Sequence, residues 1–119
     1  MLPDWRSYLW NASDACADVI RITHGVDAVR FRMDKDLHRL AERYLEIVGE
    51  ALRQYESLEP GAQGKIPAIR NWINLRNVIA HGYERIDYDI IWNICRSTVP
   101  DLKSKIDALA GERQGEQLR

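Results

Sequence analysis

Between Arg70 and His81 the chain places Arg70, Asn74, Asn77 and His81 at intervals of three and four residues. A helix turning about 100° per residue gathers these four within about 60° of arc, a polar stripe that ends in an imidazole. Ile69, Trp72, Ile73, Ile79 and Ala80 fall on a second face, about 120° wide, and Arg76 lies near its middle. A guanidinium cannot shed its charge, so at such a position it must meet an anion, a carboxylate or an interface. Glu50 is a carboxylate it can pair with, and snorkelling to the rim is the other structural outcome. The imidazole of His81 can take and return a proton, or it can simply cap a helix C-terminus, where the dipole favours a cation. Together they have the chemistry of a site that binds an oxyanion and moves a proton.

The elements that must position these residues are all helical. Trp5, Leu9, Ala12, Cys16, Val19 and Ile20 form one apolar stripe, with Asp4 as N-cap and Gly25 as the stop after His24. A second helix opens near Asp34, with Asp34 and Asp36 at its N-terminus. It carries Leu37, Leu40, Ala41, Tyr44, Leu45, Val48, Ala51, Leu52 and Tyr55 to about Leu58, where Glu59-Pro60-Gly61 ends it. Residues 59–66 read as a loop, and Pro67 suits the first turn of a third helix running to His81 and stopping at Gly82. Asp87 caps a fourth, with Ile90, Ile91, Ile94 and Cys95 facing inward. Pro100 kinks or divides it before Leu102, Ile106 and Leu109 extend the pattern to about Ala110. The expected fold class is all-α, an antiparallel bundle of four main helices in a single domain over 1–119, with 111–119 a polar tail expected to fray.

Composition narrows the function. A chain of 119 residues has no room for separate cofactor and substrate domains. Apolar residues at 45% and charged residues at 29% suit a globular domain and not a disordered one. Seventeen Lys and Arg against eighteen Asp and Glu exclude a whole-chain basic field for gripping nucleic acid. Residues 65–96 nonetheless carry 5 basic and 3 acidic groups, a net +2, against 8 and 11 in residues 1–64. Cys16 and Cys95 sit inside apolar patterns with no CxxC, as buried reduced thiols would. Neither a secretory leader nor an apolar run of ~20 residues is present, so a cytoplasmic protein with no membrane partner is expected. No carboxylate or histidine cluster suggests a metal, and no cofactor is expected.

Arg76-Asn77-Val78-Ile79-Ala80-His81-Gly82-Tyr83 resembles the signature of the HEPN superfamily, an Arg and a polar residue followed by a His. Its longer Arg-x4-His-x-Tyr form is similar to that of the HepT-like proteins. Val48-Gly49-Glu50-Ala51 looks like that family's Gly-Glu-Ala segment, and the run Tyr83-Glu84-Arg85-Ile86-Asp87 with Trp92 looks like its downstream part. The resemblance extends from Trp5 to about Ala110 and fits the helix count.

The resemblance implies a metal-independent endoribonuclease, usually the toxin of a type VII-like toxin–antitoxin pair. RNA brings its own nucleophile, the 2′-OH, so a proton carrier and positive charge on the phosphorane suffice. In that scheme His81 and Arg76 are catalytic, Arg76 offering a planar fork to phosphate oxygens, and Asn77 supports them. Arg70 and Asn74 are candidate contacts to the RNA backbone. Tyr83 by resemblance is the acceptor of AMP groups from an MntA-type nucleotidyltransferase antitoxin, which would block the site with bulk and negative charge. On one ideal helix Arg76 and His81 point about 140° apart and rise about 7.5 Å, so a homodimer with its twofold axis near the third helix is expected to assemble a shared cleft.

Two other readings compete. In one, the chain is a catalytically weak helical partner or nucleotide-binding subunit of a nucleotidyltransferase. In the other it is a structural module built around an Arg76–Glu50 pair. His24 and His38 read as ordinary surface or capping residues, Trp5 and Trp10 as core or interface anchors, and Gly61 and Gly64 do not make a phosphate loop.

Overall fold

The computed structural model describes residues 4–81 and 86–111, and among them every regular element is a helix. In chain order these are α1 (Trp5–Thr23), α2 (Ala28–Met33), α3 (Lys35–Leu58), α4 (Ala62–Lys65), α5 (Ile69–His81), α6 (Tyr88–Asn93), a π-helical turn (Ile94–Thr98) and α7 (Val99–Ala110). Aspartates start four of them. Asp4 accepts from the Arg6 N–H, Asp27 from Arg30, Asp34 from Leu37, and Asp87 from Asp89 and Ile90, each satisfying amides the helix leaves unpaired.

The 24-residue α3 is the spine. Leu37, Ala41, Leu45, Val48, Leu52 and Tyr55 recur every three or four residues and are all buried, because α1 packs along one side of α3 and α5 along another. On its far side α1 meets α7. The pairings run antiparallel: Trp5 meets Tyr55, Glu56 meets Arg70, and Glu50 meets Arg76. Between α1 and α7, Ser13 donates to Asp107, and at the opposite end Arg96 Nη1 donates to the Thr23 carbonyl at 3.2 Å. Trp92 Nε1 donates to the Val26 carbonyl at 2.8 Å, tying the α1–α2 corner to α6.

Three sequence expectations are corrected. The loop at 59–66 contains the short helix α4. The third helix begins at Ile69 and not at Pro67, because Ala68 sits at φ +66° and reverses the chain first. Ile90 is exposed, so the inward face of the fourth helix is Ile91 and Cys95 with Ile94 half-buried. Near Pro100 the last helix is divided, as expected, into α6 and α7 on either side of the π-helical turn. Pro100 has no N–H for the carbonyl one turn back, and the chain widens there to a π turn in which the Val99 N–H reaches the Ile94 carbonyl. The tail beyond Gly111 and the stop at Gly82 lie outside the described residues.

No helix among the described residues is long and apolar enough to cross a membrane.

Candidate active site

The geometry around Arg76 is set by a glycine. Gly49 on α3 is buried at the crossing with α5. A β-carbon there would overlap Arg76 Cβ and approach the Trp72 carbonyl oxygen to 3.0 Å and Arg76 Cγ to 3.2 Å. Only glycine lets the two backbones come this close. The expected apolar face follows: Ile69, Trp72, Ile73 and Ile79 are buried against α3, while Ala80, past the crossing, is exposed.

Arg76 meets a carboxylate, as its place on that face demanded. Its Nη2 lies 3.6 Å from Glu50 Oε2, and its Nη1 donates to Asn77 Oδ1 at 2.9 Å. Glu50 is shared. Arg53 donates to it through Nε and Nη2, the latter at 2.8 Å, and Gln54 at 3.4 Å. These Arg53 hydrogen bonds, opposed by partial burial and helped by the charge of Arg76, hold the Glu50 carboxyl below the usual glutamate range. Arg76 and Glu50 both line a cleft of about 510 Å³ between α1 and α3, together with Asp14, Asp18, Arg43 and Glu46.

The polar stripe is on the surface. Arg70, Asn74, Asn77 and His81 are all exposed. Arg70 is not a free cation: its Nε stands 3.0 Å from Glu56 Oε2, off hydrogen-bond alignment, so the attraction is electrostatic. Asn77 spans both sets, lying on the stripe while accepting from Arg76. α5 remains a regular helix through His81, so Arg76 and His81 keep the roughly 140° divergence of an ideal helix and do not converge within one chain. Tyr83 lies outside the described residues.

Two residues read differently in the structure. His38 is buried and not on the surface, stacked on Tyr88 with ring centroids 3.8 Å apart and 5.3 Å from Phe31. Its Nε2 has no hydrogen-bond partner. Glu42, one turn later on α3, went unremarked in the sequence. It is 93% buried by area (7% exposed), has no hydrogen bond or ion pair among the described residues, and its carboxyl is raised above the usual glutamate range by burial, against the opposing charges of Arg39 and His38. A carboxylate four residues after a histidine on an apolar-periodic helix was the available signal. No group of three or more His, Cys, Asp or Glu among the described residues is arranged to hold a metal ion.

The sequence profile of the ribonuclease HepT-like family matches residues 12–109, the span that holds the Gly49 crossing and the Arg76–Glu50 pair. The chain belongs to that family. A Methanocaldococcus jannaschii protein provisionally named an RNase is 30% identical over 106 residues, covering 87% of this chain and 94% of its own. A second protein of that organism with a similar provisional name is 29% identical over 115 residues, covering 95% of this chain and 93% of its own. A Thermococcus cleftensis protein provisionally named ribonuclease HepT is 26% identical over 104 residues, covering 87% and 94%. No solved structure gives a significant match. In this HepT-like chain the Gly-Glu-Ala segment acquires a physical meaning: Gly49 admits α5, and Glu50 receives Arg76.

Proposed function

We propose that this HepT-like protein is a metal-independent endoribonuclease acting as the toxin of a type VII-like toxin–antitoxin pair. The supporting observation is the family membership joined to an Arg-x4-His helix whose polar stripe stands open on the surface. The 2′-OH attacks the adjacent phosphorus, His81 takes its proton and later returns one to the leaving 5′-oxygen, and Arg76 neutralises the equatorial oxygens of the phosphorane. The products are a 2′,3′-cyclic phosphate and a 5′-OH. Glu50 positions Arg76, and Asn77 links the guanidinium to the His81 side of the helix.

Because Arg76 and His81 diverge on α5, the working site takes Arg76 from one protomer and His81 from the other across a homodimer interface along α5. Asn74 contacts the RNA backbone from the open stripe, and Arg70 does so only by exchanging Glu56 for a phosphate. An MntA-type nucleotidyltransferase silences the toxin by adding AMP to Tyr83, two residues from His81.

The test is cleavage of structured RNA in EDTA, with end-group analysis. Wild type should leave 2′,3′-cyclic phosphates, and His81→Ala should remain folded and inactive. Cleavage undiminished in His81→Ala removes that residue from the mechanism. No cleavage by unmodified wild type favours the reading as a helical partner of a nucleotidyltransferase, which the Arg76–Glu50 pair of the free chain also accommodates. Incubation with ATP and the antitoxin should raise the intact mass in AMP units, and a Tyr83→Phe protein that still gains them rules out that assignment.

A further inference from the structure

A second cavity, of about 380 Å³, opens between α3, the last turn of α5 and the start of α6, and nothing above assigns it a role. Arg39, Glu42, Glu46, Ile79, Ala80 and Tyr88 line it. It adjoins the Arg76 cleft, since Arg43 and Glu46 border both, and Ala80 on its wall is the neighbour of His81. Its wall includes a carboxylate with no hydrogen bond among the described residues, Glu42, near the charges of Arg39 and His38. Glu42 is more than nine-tenths buried, lines the cavity, and makes no hydrogen bond or ion pair among the described residues. Its oxygens are not among the buried atoms that lack a hydrogen-bond partner, so they reach the cavity and are open to donors there. The remaining walls are flat and apolar at Ile79, Ala80 and the Tyr88 ring, whose position is fixed by its stack on buried His38.

We propose that this cavity is a guanine-selective nucleobase subsite, in which Glu42 reads the base of a nucleotide next to the scissile phosphate. Guanine presents two adjacent donors, N1–H and N2–H, to one carboxylate. Adenine and cytosine each set a ring-nitrogen acceptor beside their amino group, which would face a carboxylate oxygen with a lone pair. Uracil offers one N–H between two carbonyls. Two hydrogen bonds therefore form with guanine alone, and they favour the ionised carboxylate that burial opposes. The aromatic and aliphatic walls receive the ring face, as single-stranded RNA readers do with splayed bases. Arg39 and Arg43 offset the negative charge that Glu42 and Glu46 would otherwise present to the RNA strand.

This inference rests on the RNA-cleaving reading, and its test separates the two. Guanosine 3′-monophosphate and adenosine 3′-monophosphate are titrated into the full chain and followed by NMR, with cleavage sites mapped in parallel on a mixed-sequence RNA. The guanine nucleotide should bind about ten-fold or more tighter, the discrimination of one good bidentate pair. Glu42→Gln should erase that difference and flatten the base preference of cleavage. Equal binding of the two nucleotides by wild type overturns the subsite, whether or not RNA is cut. A guanine preference retained in Glu42→Gln overturns the assignment to Glu42. Selective binding lost in Glu42→Gln with no cleavage by wild type sustains the subsite and sinks the nuclease reading. Should Glu42→Gln fail to fold, Glu42→Asp withdraws the carboxylate while keeping its charge, and must weaken the preference.

Discussion

Replacing Gly49 with alanine tests the close approach that holds Arg76 in place. Intrinsic propensity favours the change by up to ~1 kcal/mol, since glycine in a helix interior is the poorer former. Packing opposes it. The new methyl overlaps Arg76 Cβ and comes within 3.0 Å of the Trp72 carbonyl oxygen. Both atoms are fixed by the α5 backbone, so relief requires moving the helix and not a side-chain tip. Overpacking of this kind costs typically ~1–3 kcal/mol, and the rigidity of the obstacles puts this site at the upper end. The net expectation is a loss of about 1–2 kcal/mol, or a melting temperature roughly 3–10 °C lower for a domain of this size. Urea and thermal unfolding followed by circular dichroism measure it. Gly64→Ala in α4 is the control: a β-carbon there meets nothing within 4 Å, and the change should leave stability level or slightly raised. Displacement of α5 also moves Arg76 from Glu50, so RNA cleavage by Gly49→Ala should fall by more than its loss of folded population. A Gly49→Ala protein as stable as Gly64→Ala would refute the packing argument.

Other outcomes follow from the buried ionisable groups. Burial raises the Glu42 carboxyl, so its ionisation works against the fold. Stability from this group rises as pH falls from the raised pKa to the ordinary glutamate range, and Glu42→Gln should be more stable than wild type at pH 7, with the gap closing near pH 4 in denaturant titrations. A constant gap across that range contradicts the burial argument. Glu50 has the opposite sign: its carboxyl is held low chiefly by Arg53, so its contribution is present above the usual glutamate range and is lost as pH falls through its lowered pKa. The thiols of Cys16 and Cys95 are both pushed up to about 12, first by burial, so iodoacetamide at pH 8 should label neither until denaturant is added. Rapid labelling of the native protein would place at least one thiol outside the core.

The fold was legible wherever apolar spacing and caps agreed. Asp4, Asp34 and Asp87 start helices as their side chains permit, and the α3 stripe is buried except at Leu40, which is exposed, and Tyr44, which is half-buried. Pattern alone does not resolve what a proline does when its neighbours can adjust, and the π turn before Pro100 is such an adjustment. Nor does it resolve left-handed backbone at an alanine, because Ala68 carries no residue signature for φ +66°. In the site, the cost of burying a guanidinium points to an anionic partner for Arg76, and Glu50 is that acid. His38 was not legible as a buried group, since its burial depends on Phe31 and Tyr88 arriving from α2 and α6, distant in the chain. The divergence of Arg76 and His81 was readable from helix geometry, and it is the ground for proposing a site shared between two protomers.

The shared site is testable in one mixing experiment. Arg76→Ala and His81→Ala are each inactive alone, and the two are unfolded together, refolded and assayed on RNA in EDTA. If Arg76 of one protomer works with His81 of the other, half the dimers are mixed and each mixed dimer holds one intact site. Activity should then return to about one quarter of wild type. Mixtures that stay inactive while dimers re-form would show that both residues act within one chain, and activity in either single variant would show that the residue it lacks is not part of the site.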